Sequence, residues 1–134
     1  TSFGKIGLLI CYDIEFPETA RVLALNDAEM IVCISANMKP YDNLHKMCVI
    51  SRAIENSVPV VYCNYVGKDS QFTFVGRSNI INSKGKNECK FSNRNTLLYG
   101  TLNITKICDA DNMNYLKNLR TDLYNYWTII RYQK

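Results

Sequence analysis

The 134-residue chain has no apolar run of the about 18 residues that a membrane-spanning helix needs. Its longest purely apolar stretches, such as Leu8-Leu9-Ile10-Cys11, are strand-sized, so no membrane partner is expected. It has a single histidine, His45, and no Cys-x-x-Cys pair, which leaves a Cys/His zinc site without support. It has no dense basic run either. The 16 Lys+Arg stand against 12 Asp+Glu, for a net charge of +4, and they are scattered singly. Without a recognisable nucleic-acid motif, they read as a solvated surface and not as a nucleic-acid interface. Internal repeats, linkers and low-complexity segments are missing, so the chain is one domain or part of one. There is no signal-peptide pattern and no initiator Met. The chain begins Thr1-Ser2-Phe3, close to a strand, and the expectation is that the true N-terminus lies upstream.

The composition, 47% hydrophobic and 21% charged, is that of an ordinary globular domain. A domain of this size buries roughly two-thirds of its unfolded surface. Basic charge gathers late: residues 1–83 hold 7 basic and 8 acidic groups, residues 84–134 hold 9 and 4. The fifteen asparagines are spread along the whole chain and point to no function. The six cysteines, Cys11, Cys33, Cys48, Cys63, Cys89 and Cys108, have long and irregular spacings. That pattern fits free thiols in a reducing, cytoplasmic compartment better than a disulfide framework. Cys33 and Cys63 lie in apolar runs, where free cysteine behaves as a small buried hydrophobe. Five of the six thiols read as structural, and Cys11 is the exception.

Residues 5–10 read as a buried strand that ends at Cys11. Residues 12–16 turn the chain, and Pro17 suits a first helical position. Glu18 lies in the first turn, where a carboxylate complements the helix dipole. This helix is expected to run to Leu25 or Asn26, with Ala20, Leu23 and Ala24 on one face. Residues 30–35 form a second buried strand, followed by a loop. A second helix spans about residues 43–56, with Leu44, Met47, Cys48 and Ile54 repeating at helical spacing. Ser57 and Pro59 end it. A third strand covers residues 60–64, a fourth lies within 72–81, and 83–86 form a turn across which 88–91 can pair. Residues 97–104 read as a strand, about 111–124 as a helix, and 127–132 as extended. The opening βαβαβ order implies an α/β fold with parallel strands covered by helices, and the later strands are free to be antiparallel.

Ligands in open α/β sheets bind at the carboxyl ends of strands, and Cys11 lies at such an end. Amide groups at a helix start favour negative charge and would raise its thiolate fraction. The backbone N–H of Tyr12 is then placed to stabilise an oxyanion formed when sulfur attacks a carbonyl or nitrile. Position alone leaves a second reading open, a buried strand-end thiol. Asn37 and Met38 follow the second strand and either line an acyl pocket or simply begin a loop. Asp13 is expected to close the turn after Cys11; Glu15 points from the same turn and either touches substrate or, by default, faces solvent. Arg52 and Glu55 are expected to pair on the helix surface. His45 offers a Cys–His dyad, but a lone helical histidine reads first as a surface residue.

The segment Gly4 to Glu18, GKIGLLICYDIEFPE, resembles the nucleophile segment of the nitrilase superfamily of carbon–nitrogen hydrolases. Cys11, Tyr12, Asp13, Phe16, Pro17 and Glu18 all match its pattern. SRAIEN (51–56), CNYVG (63–67), VGRSNIINSKG (75–85) and YLKNLRTDLY (115–124) resemble further family segments in the right order. The resemblance implies an αββα sandwich of which residues 1–134 are the C-terminal part, the N-terminal half being absent. It also implies a Glu-Lys-Cys mechanism in which Cys11 attacks a small amide, with Tyr12 as oxyanion donor and Asn37 and Met38 near the substrate. The products are an acid and ammonia or an amine. By the same resemblance, no metal or organic cofactor is expected. The family's catalytic Glu and Lys precede the cysteine. Lys5 cannot replace that lysine, being about 20 Å away along an extended strand. The chain alone is therefore expected to be inactive, and the full-length protein to be a homo-oligomer. SANMKPYD, residues 35–42, looks closer to the aliphatic and omega-amidase-like branches than to true nitrilases. A non-catalytic fragment or pseudoenzyme serving as an assembly module, suggested by the missing half and the aromatic tail with Tyr124, Tyr126, Trp127 and Tyr132, and a thiol redox sensor at Cys11 are the competing readings.

Overall fold

The period-two alternation of strand β1 (Ile6–Ile10) decides which way it faces. Gly7 and Leu9 point into the interior, while Leu8, at 70% exposure, and Ile10 point the other way. The computed structural model describes residues 2, 4–89, 94–104 and 115–123. From β1 the chain enters a 3₁₀ segment (Cys11–Glu15) and helix α1 (Pro17–Leu25). Strand β2 (Met30–Ser35), helix α2 (Asp42–Asn56) and strand β3 (Val60–Asn64) follow. The expected bounds agree to within a residue for each of these elements.

β1, β2 and β3 are parallel, and β6 (Asn79–Ile81) closes the four-stranded sheet antiparallel to β3. Strands β4 (Val66–Lys68) and β5 (Thr73–Val75) form a separate antiparallel pair. The expected fourth strand is thus split between two sheets, and β4 was not anticipated. The cause is local: Gly76 and Arg77 are successive residues in the left-handed region, at φ 62° and 61°, and no strand passes through such a pair.

Both helices pack on one face of the sheet. Ala20 and Ala24 of α1 and Val49 and Ala53 of α2 share a core with Leu9, Ile31, Cys33, Val60, Tyr62 and Ile81. Gly7 lets α1 come close, since a Cβ there would lie 2.9 Å from Leu23 Cδ1. The expected face of α1 is the buried one. For α2 it is not: Leu44, Met47 and Ile54 are exposed, and the helix buries His45, Val49, Arg52, Ala53 and Asn56 instead. Polar side chains occupy this inner face because hydrogen-bond partners await them there, among them the Ile14 carbonyl for Arg52 and the Tyr62 hydroxyl for His45. The helix ends where Ser57 takes φ 55° and the Val58 amide bonds back to the Ala53 carbonyl.

Residues 97–104 form no strand among the described residues, and Leu97 and Tyr99 are 77% and 81% exposed. Their apolar pattern finds no ladder partner there. Past the 83–86 turn, the Glu88 amide bonds the Ile80 carbonyl, so the expected pairing exists at that point. The helix expected over about 111–124 is not continuous: residues 115–118 make a turn, 119–120 are irregular and only 121–123 are helical, while 111–114, 124, the 127–132 segment and Cys108 lie outside the described residues. Among the described residues, no helix is long and apolar enough to cross a membrane.

Candidate active site

Register brings the site together before any side chain is considered. Ile10 pairs with Ile34, and Ser35 pairs with Asn64, at the carboxyl ends of three parallel strands. Cys11 is therefore beside Ser35, and Ser35 beside Asn64. Cys11 itself has φ 48°, in a region that costs a non-glycine residue about 1–3 kcal/mol.

Three sets of contacts hold that turn. The Asp13 carboxylate accepts from the Ile10 amide at 3.0 Å, the closing role expected of it. Ile14 is fully buried. Arg52, only 7% exposed, donates from Nε to the Ile14 carbonyl at 3.1 Å and from Nη2 to the Glu15 carbonyl at 2.9 Å. Its Nη1 meets Glu55 at 2.9 Å, so the expected pair exists. Its position is corrected, however: the arginine is inside, clamping the chain that follows Cys11. Cys11 also heads the 3₁₀ segment and not α1, which begins at Pro17. The nearest polar side chain to its sulfur is then a hydroxyl, as Ser35 donates from Oγ to Cys11 Sγ at 3.3 Å.

Two expectations about polar residues are overturned here. His45 is not on the surface; it is 3% exposed. Glu15 does not simply face solvent, because its Oε1 lies 2.9 Å from His45 Nε2. Both follow from α2 turning its polar positions inward, over the 3₁₀ segment. His45 Nδ1 lies 2.7 Å from the Tyr62 hydroxyl and 3.4 Å from Ser35 Oγ. A polar chain thus runs from Glu15 through His45 to Tyr62, with Ser35 between it and the sulfur.

A cavity of about 400 Å³ opens beside this chain, lined by Cys11, Tyr12, Glu15, Asn37, Met38 and His45 among others. All four sequence-predicted site residues, Cys11, Tyr12, Asn37 and Met38, therefore share one wall. Asn37 is buried; its amide donates to Asn64 Oδ1 at 2.7 Å and its Nδ2 to the Tyr41 carbonyl at 3.2 Å. Asn64 returns a bond to the Asn37 carbonyl and another to Gly76. Ser35, Tyr62 and Arg52 were missed as site residues, and the site readings of Glu15 and His45 were set behind a surface one. The parallel register beside Cys11 was the available signal for Ser35. For α2 it was the 45, 49, 52, 53, 56 spacing, a helical face as regular as the apolar one.

Burial pushes the Cys33 thiol up to about 12 and raises the Tyr62 phenol, the latter partly offset by the Ser35 hydrogen bond. Both stay protonated at neutral pH. Burial also raises Cys48. Cys63, expected inside, is exposed because it alternates with Tyr62 and Asn64 onto the uncovered sheet face. Among the described residues, no group of three or more His, Cys, Asp and Glu side chains is placed to hold a metal ion.

The chain is similar to known proteins. The chain matches the carbon-nitrogen hydrolase family over residues 1–110. It is 41% identical over 122 residues to "Hydrolase in pqqF 5'region" from Pseudomonas protegens, an alignment spanning 90% of this chain and 43% of that protein. It resembles the crystal structure of a carbon-nitrogen hydrolase from Helicobacter pylori G27 with a TM-score of 0.85 and 26% identity, covering 96% of this chain and 50% of the other. A variant of the amidase from Nesterenkonia sp. AN1 aligns with a TM-score of 0.80 and 26% identity, over 92% of this chain and 44% of that one. In that structure the acetamide moiety of fluoroacetamide is covalently attached to the active-site cysteine. The chain spans half or less of the length of each of these proteins.

Proposed function

Because the chain belongs to the carbon-nitrogen hydrolase family and has its α/β fold, we propose that it is the nucleophile-bearing part of an amidase. Its Cys11 would cleave a small amide to an acid and ammonia or an amine. The observation that carries this reading is the sulfur itself. It stands at the carboxyl ends of three parallel strands, hydrogen-bonded by Ser35 and facing a cavity large enough for a small amide.

In the proposed sequence, Cys11 Sγ attacks the amide carbon and its pair of electrons forms the C–S bond. The carbonyl π electrons move to oxygen, and the backbone N–H of Tyr12 steadies the oxyanion. The first N–H groups of a 3₁₀ turn have no acceptor within it, which suits this role. The oxyanion then re-forms the carbonyl, the C–N bond breaks, and the nitrogen leaves with a proton. Water attacks the thioester carbon, the C–S bond breaks, and the acid departs as the thiol is restored. Asn37 and Met38 bound the acyl side of the cavity. The proton-transferring Glu and the Lys of the family mechanism, which precede its cysteine, would come from sequence before residue 1 in the full-length protein. A second α/β layer from that sequence would cover the face that exposes Leu8, Ile10 and Ile34. The five cysteines among the described residues are free, which supports a reducing, cytoplasmic setting. A homo-oligomeric full-length protein belongs to the same proposal.

The test is turnover of short aliphatic amides by the full-length protein and by its Cys11→Ala and Cys11→Ser variants. Loss of ammonia release in both supports the proposal. Undiminished release by correctly folded variants rejects it.

A further inference from the structure

The described part of the molecule holds a polar chain of Glu15, His45, Tyr62 and Ser35 to which this mechanism gives no role. Its protons can be counted. A glutamate carboxylate only accepts, so the imidazole N–H must sit on His45 Nε2, which faces Glu15 Oε1 at 2.9 Å. With a single proton on the ring, Nδ1 is then a single acceptor. Two hydroxyls compete for it, Tyr62 at 2.7 Å and Ser35 at 3.4 Å. Tyr62 is the closer, and burial keeps its phenol protonated. Once Tyr62 fills that lone pair, the one proton of Ser35 has no use on the histidine. Two acceptors then remain for it, the Tyr62 oxygen, where a Ser35 hydrogen bond lowers the phenol pKa, and Cys11 Sγ at 3.3 Å.

We propose that Glu15, His45 and Tyr62 are positioning residues that reserve the Ser35 hydroxyl proton for the Cys11 sulfur. Glu15 selects the tautomer, His45 presents one acceptor, and Tyr62 occupies it. Ser35 then has its proton free to donate to the sulfur as it attacks. In catalysis the same hydroxyl meets the sulfur again as it leaves the thioester. The inference rests on Cys11 as nucleophile, yet it is a statement about the sulfur's hydrogen bond and can be tested without turnover.

The test is the rate of Cys11 alkylation by iodoacetamide at neutral pH in the full-length protein, followed on the Cys11 peptide by mass spectrometry. Ser35→Ala removes the donor and is expected to slow alkylation about tenfold, the scale of one hydrogen bond to a charged group. Ser35→Thr keeps a hydroxyl and is expected to react within about twofold of the parent, as threonine suits a strand. Tyr62→Phe frees the histidine acceptor, draws the Ser35 proton away and is expected to slow alkylation by a similar factor. The decisive variant is the double one. Ser35→Ala with Tyr62→Phe should react no more slowly than Ser35→Ala alone, since Tyr62 acts only through Ser35. A Ser35→Ala variant that alkylates at the parent rate overturns the proposal. So does a double variant whose loss is the product of the single losses. Should Cys11→Ala retain turnover while these rates behave as expected, the amidase reading fails and the hydrogen-bond assignment stands.

Discussion

Replacing Arg52 with Met tests what holds the Cys11 turn. The side chain is buried and donates to two backbone carbonyls, those of Ile14 and Glu15, at 3.1 and 2.9 Å. It also pairs with Glu55, itself partly exposed. Methionine keeps much of the stem volume and removes every donor. A hydrogen bond from a charged donor contributes about 1.5–3 kcal/mol, and the carbonyls left behind are costly when no water reaches them. The Glu55 pair adds at most about 1 kcal/mol, because that carboxylate sees solvent. The apolar stem of Met recovers part of the loss. Together these give a destabilisation of about 3 kcal/mol, the lower end of the two carbonyl bonds combined. Urea unfolding of the full-length protein, followed by circular dichroism, reads this as a lower midpoint at unchanged slope. Arg52→Lys keeps the charge but not the fork that spans two carbonyls, and should recover less than half of the loss. An Arg52→Met protein within about 0.5 kcal/mol of the parent, the range of an ordinary surface change, would refute the clamp.

Three further outcomes follow from the same structure. Gly7→Ala places a methyl 2.9 Å from Leu23 Cδ1 and should cost about 1–3 kcal/mol in the same unfolding assay; no change would mean that α1 is not seated against β1 as described. Asn64→Leu removes the side chain that ties β3 to Asn37 and Gly76, and should lower stability by about 2–4 kcal/mol, a prediction lost if the midpoint does not move. Cys33, its pKa raised from 9.0 to about 12, should resist alkylation at pH 8 while exposed Cys63 labels, as peptide mass spectrometry would show. The linked sign is definite: because the folded pKa is the higher one, the Cys33 contribution is intact below pH 9 and is lost as pH rises from 9 towards 12.

Local signals carried the first half of the chain well. The apolar blocks 30–35 and 60–64 could only be buried strands, and Pro17 marked the start of α1 through its missing N–H. The nucleophile turn was visible because its residues are contiguous. What escaped was the part made by tertiary packing. His45, Arg52 and Asn56 look like solvent positions until the 3₁₀ segment is placed over α2, where Arg52 meets its carbonyls and His45 meets Glu15. The apolar alternative face of α2, with Leu44, Met47 and Ile54, drew the wrong assignment because periodicity cannot choose between two faces when polar groups find buried partners. The 72–81 segment does contain strand, but as two pieces in different sheets, because the left-handed geometry at Gly76 and Arg77 interrupts it. Ser35 was identified only by register, which requires knowing that β1 and β2 are neighbours.

The central claim is that Cys11 forms a covalent acyl bond with its substrate. Acid-quenching the full-length protein during turnover of a short aliphatic amide, followed by digestion and mass spectrometry, tests it directly. The account predicts an acyl mass on the peptide carrying Cys11, removed by hydroxylamine. Turnover that proceeds with that peptide unmodified, and with the acyl mass on another cysteine, would contradict it.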